Sequence, residues 1–355
     1  MRVLLLCRYP RMGASSRLRS YQYLPSLVEA GIEVTVSPLF SEDYLETFYR
    51  SGSKRPGYLA EAYWLRLKQL FKAKKYDLLW LEKELFPWLP AIAERLLDRI
   101  GVPYLVDYDD AIFHRYDKSS SRWLRLLLGR KIDRVMAGAR VVTAGNDYLA
   151  NRAKMAGARR VMHLPTVVDT GRYTAKTVSD SEPFTIGWIG SPTTARYLQL
   201  LREPLSSLGA KRAIRLLVIG GRAETIPGVP VETLDWSEAS EAALIQQFDV
   251  GVMPLEDDLW ERGKCGYKLI QYMASGLPVV ASPVGVNSEI VEHGVDGFLA
   301  DSDKSWEEAL MNLIDHPEQR TEMGGMGRNK VEKHYSLAVM APRLVSCLKQ
   351  SAGWN

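Results

Sequence analysis

Short apolar runs alternate with amphipathic stretches along almost the whole chain. In the first half, runs at Val3–Cys7, Glu33–Ser37, Leu78–Leu81, Tyr104–Asp107 and Val141–Ala144 predict strands. Helical spacing predicts helices near Ser16–Ala30, Ala60–Lys74, Leu89–Arg99, Ser121–Ala137 and Asp147–Met155. The second half repeats the alternation, with strands at Phe184–Ile189, Ile214–Ile219, Val250–Pro254 and Val279–Ser282. Its helical patterns fall at Thr194–Leu208, Glu238–Phe248, Tyr267–Ser275, Lys304–Asp315, Glu318–Lys333 and Leu337–Lys349. Runs apolar at nearly every position belong to parallel strands covered on both faces. The predicted class is α/β: two doubly wound, Rossmann-like domains facing one cleft, with ligand loops at the strand C-termini. Thr177–Pro183 is polar, ends in proline and reads as a linker between domains at 1–176 and 182–336.

A chain of 355 residues suits two domains of moderate size, and 46% apolar with 25% charged residues is the balance of a soluble globular protein. No apolar run would span a bilayer, and the opening MRVLLLC leads straight into a strand, so no cleavable leader is expected. The three cysteines have no paired spacing and the five histidines form no ligand pair, which points to a cytoplasmic, metal-free protein. The net charge of +4 conceals an asymmetry. Residues 1–180 carry 30 Lys+Arg against 19 Asp+Glu, a net of +11, leaving −7 for the remainder. A basic half can face anionic lipid, nucleic acid or an anionic acceptor, or be a solvated surface. Two of its segments, Tyr63–Lys72 and Arg122–Leu128, interleave aromatics with Lys or Arg at helical spacing. That pattern fits a helix lying on the inner, anionic face of a membrane as well as an ordinary amphipathic helix. No nucleic-acid motif accompanies the charge, so nucleic acid is not an expected partner.

Three segments carry candidate chemistry. Gly13, Ser15 and Ser16 follow the first strand, where small residues allow close backbone approach and either serine can cap the next helix. Gly190 and Ser191 open the second half the same way, with Arg196 shortly after. The stretch Gly263–Gly297 holds a glycine-bearing loop running into a helix, with Lys264 and Lys268 one turn apart at its start. Lysines there oppose the helix dipole unless an anion offsets it, and free N–H groups at such a start would face a phosphate. Tyr104–Asp110 is a strand ending in carboxylates, which makes Asp109, Asp110 and the nearby His114 candidates for substrate contact or for a capped turn. Glu82 and Glu84 follow another strand, where a solvated or domain-interface role is at least as fitting.

Gly266, Leu269, Met273-Ala274, Gly276, Pro278–Ser282, Gly285, Glu289–Val291 and Gly294–Gly297 resemble the nucleotide-sugar signature of group 1 (family 4) retaining glycosyltransferases of GT-B fold. The match is dense over 263–297 and looser at both glycine loops and at Leu164-Pro165 with Val168-Asp169. The resemblance implies transfer of a sugar, with retention and without metal, from a nucleoside-diphosphate donor to a hydroxyl acceptor, saccharide or lipid-linked. It implies a helix at 337–355 returning to the first domain, and a donor site at Gly13, Ser15, Ser16, Gly190, Ser191, Arg196, Lys264, Gly266, Tyr267, Lys268 and Gln271. Lys268 would stabilise the leaving diphosphate, Gln271 would hold the ribose, and Asp109, Asp110 or His114 would serve the acceptor side. The chain departs from the pattern at Gly263 and Gln271, where the family carries glutamates, and at Ser191, where it carries arginine. Glu261 is the nearest carboxylate substitute for the first. An inactive nucleotide-sugar-binding subunit and a sugar-nucleotide epimerase are the alternatives.

Overall fold

The computed structural model describes residues 1–45, 56–176 and 182–354, so most of the stretch read as a linker lies outside the described residues. The chain divides into two compact units. Unit 1 comprises Met1–Thr166, Gly263–Cys265 and Met340–Asn355; unit 2 comprises Val167–Arg262 and Gly266–Val339.

Unit 1 is built on a parallel sheet of β1 (Arg2–Leu6), β2 (Glu33–Val36), β3 (Leu78–Glu82), β4 (Tyr104–Tyr108), β5 (Val141–Ala144) and β6 (Val161–His163). Their order is β2-β1-β3-β4-β5-β6. The central strands β3 and β4 are buried at every position, which is why their sequences are apolar runs rather than alternations. Chain direction across the sheet reverses between β1 and β3, and ligands in such sheets bind outside the strand C-termini at that point.

Unit 2 has a second parallel sheet of β7 (Phe184–Ile189), β8 (Ile214–Ile219), β9 (Val231–Leu234), β10 (Val250–Met253), β11 (Val279–Ala281) and β12 (Gly297–Leu299). The order β12-β11-β10-β7-β8-β9 is the Rossmann arrangement, with its reversal between β7 and β10. Gly187 and Gly251 in these two strands leave room for rings, since a Cβ would come within 2.2 Å of Phe248 and Tyr272 respectively. Both sheets have helices on their two faces, so two doubly wound domains are observed.

Some predicted helices differ. The stretch Ser121–Ala137 is two helices, Arg122–Leu128 and Lys131–Gly138, with the break at Gly129-Arg130. Ser16–Ala30 is likewise divided into Ala14–Arg19, a single 3₁₀ turn and Leu24–Glu29. The stretch read as one helix over Thr194–Leu208 begins at Ala195 as a 3₁₀ helix and continues as an α-helix over Arg202–Gly209.

Candidate functional site

In unit 1 the loops after β1, β3 and β4 meet through buried charge. Arg19 holds Asp107 with a bidentate pair at 2.6 and 2.9 Å, fixing the end of β4 against the first helix. Just past the end of β4, Asp109 accepts a hydrogen bond from Ser15 Oγ at 2.6 Å. Lys83 Nζ lies 2.8 Å from Asp109 and 2.8 Å from Asp110, so one ammonium is shared between two adjacent carboxylates. Burial works to raise the Asp109 pKa, but Lys83, Arg19 and Ser15 outweigh it and hold the carboxyl below its usual value. Asp109 is therefore ionised at neutral pH and is an acceptor of hydrogen bonds, not an acid.

Several expectations are corrected here. Neither Ser15 nor Ser16 caps the helix Ala14–Arg19; Gly13 occupies the cap position without a side-chain bond. Ser16 instead donates to Glu82 at 2.6 Å, and the Arg8 amide reaches the same oxygen at 2.8 Å. Gly13 is required, because a Cβ there would come within 2.4 Å of Tyr9 Cβ. Glu82 and Glu84 are buried, not solvated: Glu84 accepts from Tyr116 and pairs with Lys131. His114 has both ring nitrogens engaged, with Asp117 at 2.8 Å and Tyr148 at 2.7 Å, and it stands apart from the Ser15–Asp109–Lys83 cluster.

The short segment Gly263–Cys265 belongs to unit 1. Asn146 donates to the Lys264 carbonyl at 2.8 Å, and Cys265 Sγ donates to the Asp109 carbonyl at 3.1 Å. A Cβ at Gly263 would sit 2.7 Å from the Ala111 amide nitrogen. No side chain fits there, which gives a physical reason for glycine where the resembled family carries glutamate. Burial pushes the Cys265 thiol up to about 12, so it is not a nucleophile.

In unit 2 the loops after β7 and β10 come together at the sheet's reversal point. Gly190 cannot carry a side chain, because a Cβ would meet the Trp188 ring at 2.4 Å. Ser191 bonds to the hydroxyls of Thr193 and Thr194, closing a tight turn. Arg196, its side chain 62% exposed, reaches the buried Glu261 at 3.4 Å, and the Tyr197 hydroxyl donates to the same carboxylate. Glu261 is thus committed to fixing Arg196 and Tyr197. Helix Tyr267–Ala274 starts from Gly266 in the left-handed region at φ 65°, where glycine is strain-free, and no side chain caps the helix. Lys268 Nζ lies 5.1 Å from the Trp188 ring centroid, on the strand that leads to Gly190. A cavity of about 170 Å³ adjoins the first of these loops, with Arg196, Arg202 and Arg222 among its lining residues.

Gln271 is placed differently from a side chain that meets a ligand directly. It is 2% exposed, and its amide donates to Tyr173, which in turn donates to Glu241. Trp236 donates to the other Glu241 oxygen at 2.9 Å, so the chain of bonds runs from the helix to the loop after β9. Arg202, Arg222 and Lys83 were not among the candidates read from sequence; a basic residue set between Glu82 and Glu84 just past the strand was the available signal for Lys83. Among the described residues no group of three or more His, Cys, Asp or Glu is arranged to hold a metal ion.

Two family models match consecutive parts of the chain: a glycosyl transferase 4-like domain over residues 1–166 and glycosyl transferases group 1 over residues 183–316. The chain is thus matched over most of its length, in two successive segments, by glycosyltransferase models. Its fold is similar over the whole length to that of sucrose-phosphate synthase from Thermosynechococcus elongatus, at 14% identity and a TM-score of 0.71, covering 99% of this chain and 98% of that one. HepE from Anabaena, solved in complex with UDP, is similar at 16% identity and a TM-score of 0.69, covering 99% and 100%. These likenesses establish the GT-B fold. Spore coat protein SA of Bacillus subtilis is 28% identical over 82 residues, 22% of this chain and 22% of that relative's length.

Proposed function

We propose that this protein moves a sugar from a nucleoside-diphosphate donor to a hydroxyl acceptor, with retention of configuration and without a divalent ion. The observation that carries the reading is the convergence of unit 2's β7 and β10 loops at the sheet reversal. They present Arg196, the Gly266 helix start and Lys268 around positions that exclude side chains. Cations and a helix start aimed at one place stabilise the charge that develops on a departing diphosphate, the role a metal plays elsewhere. HepE is also known in complex with UDP-glucose, so UDP-glucose is the first donor to try. The acceptor would be a saccharide or lipid-linked glycan, received by unit 1 at Gly13–Ser16 with Asp109 and Asp110; the ionised Asp109 suits hydrogen bonding to a hydroxyl. Gln271 would act on the donor through Tyr173 and Glu241.

A second reading has its own support. Glycine at 263 and a buried glutamine at 271 remove both carboxylates of the resembled pattern, as a subunit that binds donor without turning it over would tolerate. Thermal unfolding with a panel of nucleotides and nucleotide sugars, followed by donor-hydrolysis and transfer assays, separates the two. A donor that raises the melting temperature and is consumed, with Lys268→Ala abolishing consumption, supports transfer. Binding without turnover under every acceptor supports the second reading, and no stabilisation by any nucleotide refutes both.

A further inference from the structure

Unit 1 carries a face that is apolar and basic together. Among the described side chains of helix Pro56–Leu70 only Ala62 and Arg66 are buried, one turn apart, and the opposite side shows Trp64, Leu67 and Lys68 to solvent. Phe71 continues that row at 80% exposure, and Lys68 Nζ sits 5.2 Å from the Trp64 ring centroid. The face extends to the next element. Tyr63 donates to the Pro87 carbonyl and meets Phe86 edge-on, beside the exposed Trp88 and Leu89. Trp88 in turn lies edge-on to Tyr116, 5.4 Å between centroids, and the helix bearing Tyr116 packs on helix Arg122–Leu128. There Trp123 and Leu126 are 69% and 72% exposed, with Leu127 beside them.

An apolar surface of this extent marks an interaction site, and the charges around it select the partner. Helix Arg122–Leu128 has two arginines and no acid, and Lys72, Lys74 and Lys75 follow the first helix. A second copy on the same face would oppose equivalent arginines and lysines across a two-fold axis, with Glu61 the one acid in these segments to offset them. A surface rich in negative headgroups over an apolar layer satisfies both features, and tryptophan favours that boundary. We propose that this face docks on an anionic phospholipid leaflet, with Trp64, Phe71, Trp88, Trp123 and Leu126 entering the boundary between headgroups and acyl chains. A lipid-linked glycan is one of the acceptor classes proposed above. The docking is tested without donor or acceptor, so its failure leaves the transfer reading standing.

The full chain is sedimented with phosphatidylcholine vesicles and with vesicles that also contain phosphatidylglycerol, at low and high salt. Binding to the anionic vesicles, roughly tenfold or more stronger than to the neutral ones and weakened by salt, is expected. Trp123→Glu with Leu126→Glu, and separately Arg122→Glu with Arg125→Glu, should each reduce it about tenfold or more with the melting temperature kept. Should a variant misfold, quenching of wild-type tryptophan emission by lipids brominated in the acyl chain gives an independent readout. No sedimentation, equal binding to both vesicles, absence of quenching, or a dimer that the Trp123→Glu, Leu126→Glu variant dissociates would each overturn the proposal.

Discussion

Lys83 is a lysine held at φ 64°, in the left-handed region, with its side chain buried beside Asp109 and Asp110. That backbone conformation costs roughly 1–2 kcal/mol for a residue with a Cβ and persists only where other contacts enforce it. Here the enforcing contacts are the two carboxylates. Lys83→Met should lower stability at neutral pH by roughly 2–3 kcal/mol, less than a sealed pair because Asp110 is partly exposed. The pH dependence follows from Asp109. Its depressed pKa adds stability that is complete above the ordinary value of 3.8 and disappears as pH falls through the folded value. Without Lys83 the burial that opposes ionisation dominates, so the variant's deficit should be largest at neutral pH and shrink in acid. Melting temperatures of both proteins across the acid range check this, and a deficit independent of pH would refute it. The cluster shows why the site was only partly legible. Asp109 and Ser15 stand out as residues at strand ends, but their pairing joins positions 94 apart, and nothing local marks Lys83 as their partner. His114 misleads for the complementary reason: its neighbours Asp117 and Tyr148 supply a structural explanation that spacing alone does not reveal.

The central strands of both sheets were readable because burial on two faces demands unbroken apolar runs, as in Leu78–Glu82 and Ile214–Ile219. The strands that escaped, β6, β9 and β12, are three or four residues long and mostly half-exposed or exposed, so their sequences carry little of that signal. All three are sheet edges, β6 opposite β2 in the first sheet and β9 and β12 at the two ends of the second. Helix contacts are harder still to read, since they depend on one small residue at a crossing. Helix Pro317–His334 meets the turn after helix Tyr267–Ala274 at Gly324, where a Cβ would lie 2.0 Å from the Gly276 carbonyl oxygen. Arg328 on the same helix donates to the Ala274 carbonyl, so this crossing holds the C-terminal end of the helix that begins at the candidate donor loop. Gly324→Ala should cost roughly 1–3 kcal/mol through the forced shift. Gly325→Ala, one residue along with nothing near its Cβ, should be neutral or stabilise by about 0.4–1 kcal/mol. Melting temperatures of the pair test the crossing, and equal effects would show that backbone contact is not what glycine serves there.

At the scale of the whole molecule, each unit has a core of its own: a large cluster centred on β3, β4 and β5 with a small one at Leu39, Phe40 and Ala62 in unit 1, and one on each face of the sheet in unit 2. Opposite net charge in the two halves of the sequence, +11 and −7, accords with different partners for each. Separate cores make a single two-state transition an unsafe assumption, and ligand binding then acts on the unit that holds the ligand. If the donor's nucleotide rests on unit 2 as proposed, UDP at about a hundred times its dissociation constant adds about 2.7 kcal/mol to that unit. For domains of this size that corresponds to an upward shift of about 5–10 °C. Scanning calorimetry should therefore show two components, with UDP raising only one of them, and Lys268→Ala should reduce that shift without moving the other. A shift shared equally by both components would mean that the nucleotide draws on unit 1 as strongly as on unit 2, and the assignment of the donor to the β7 and β10 loops would then fail.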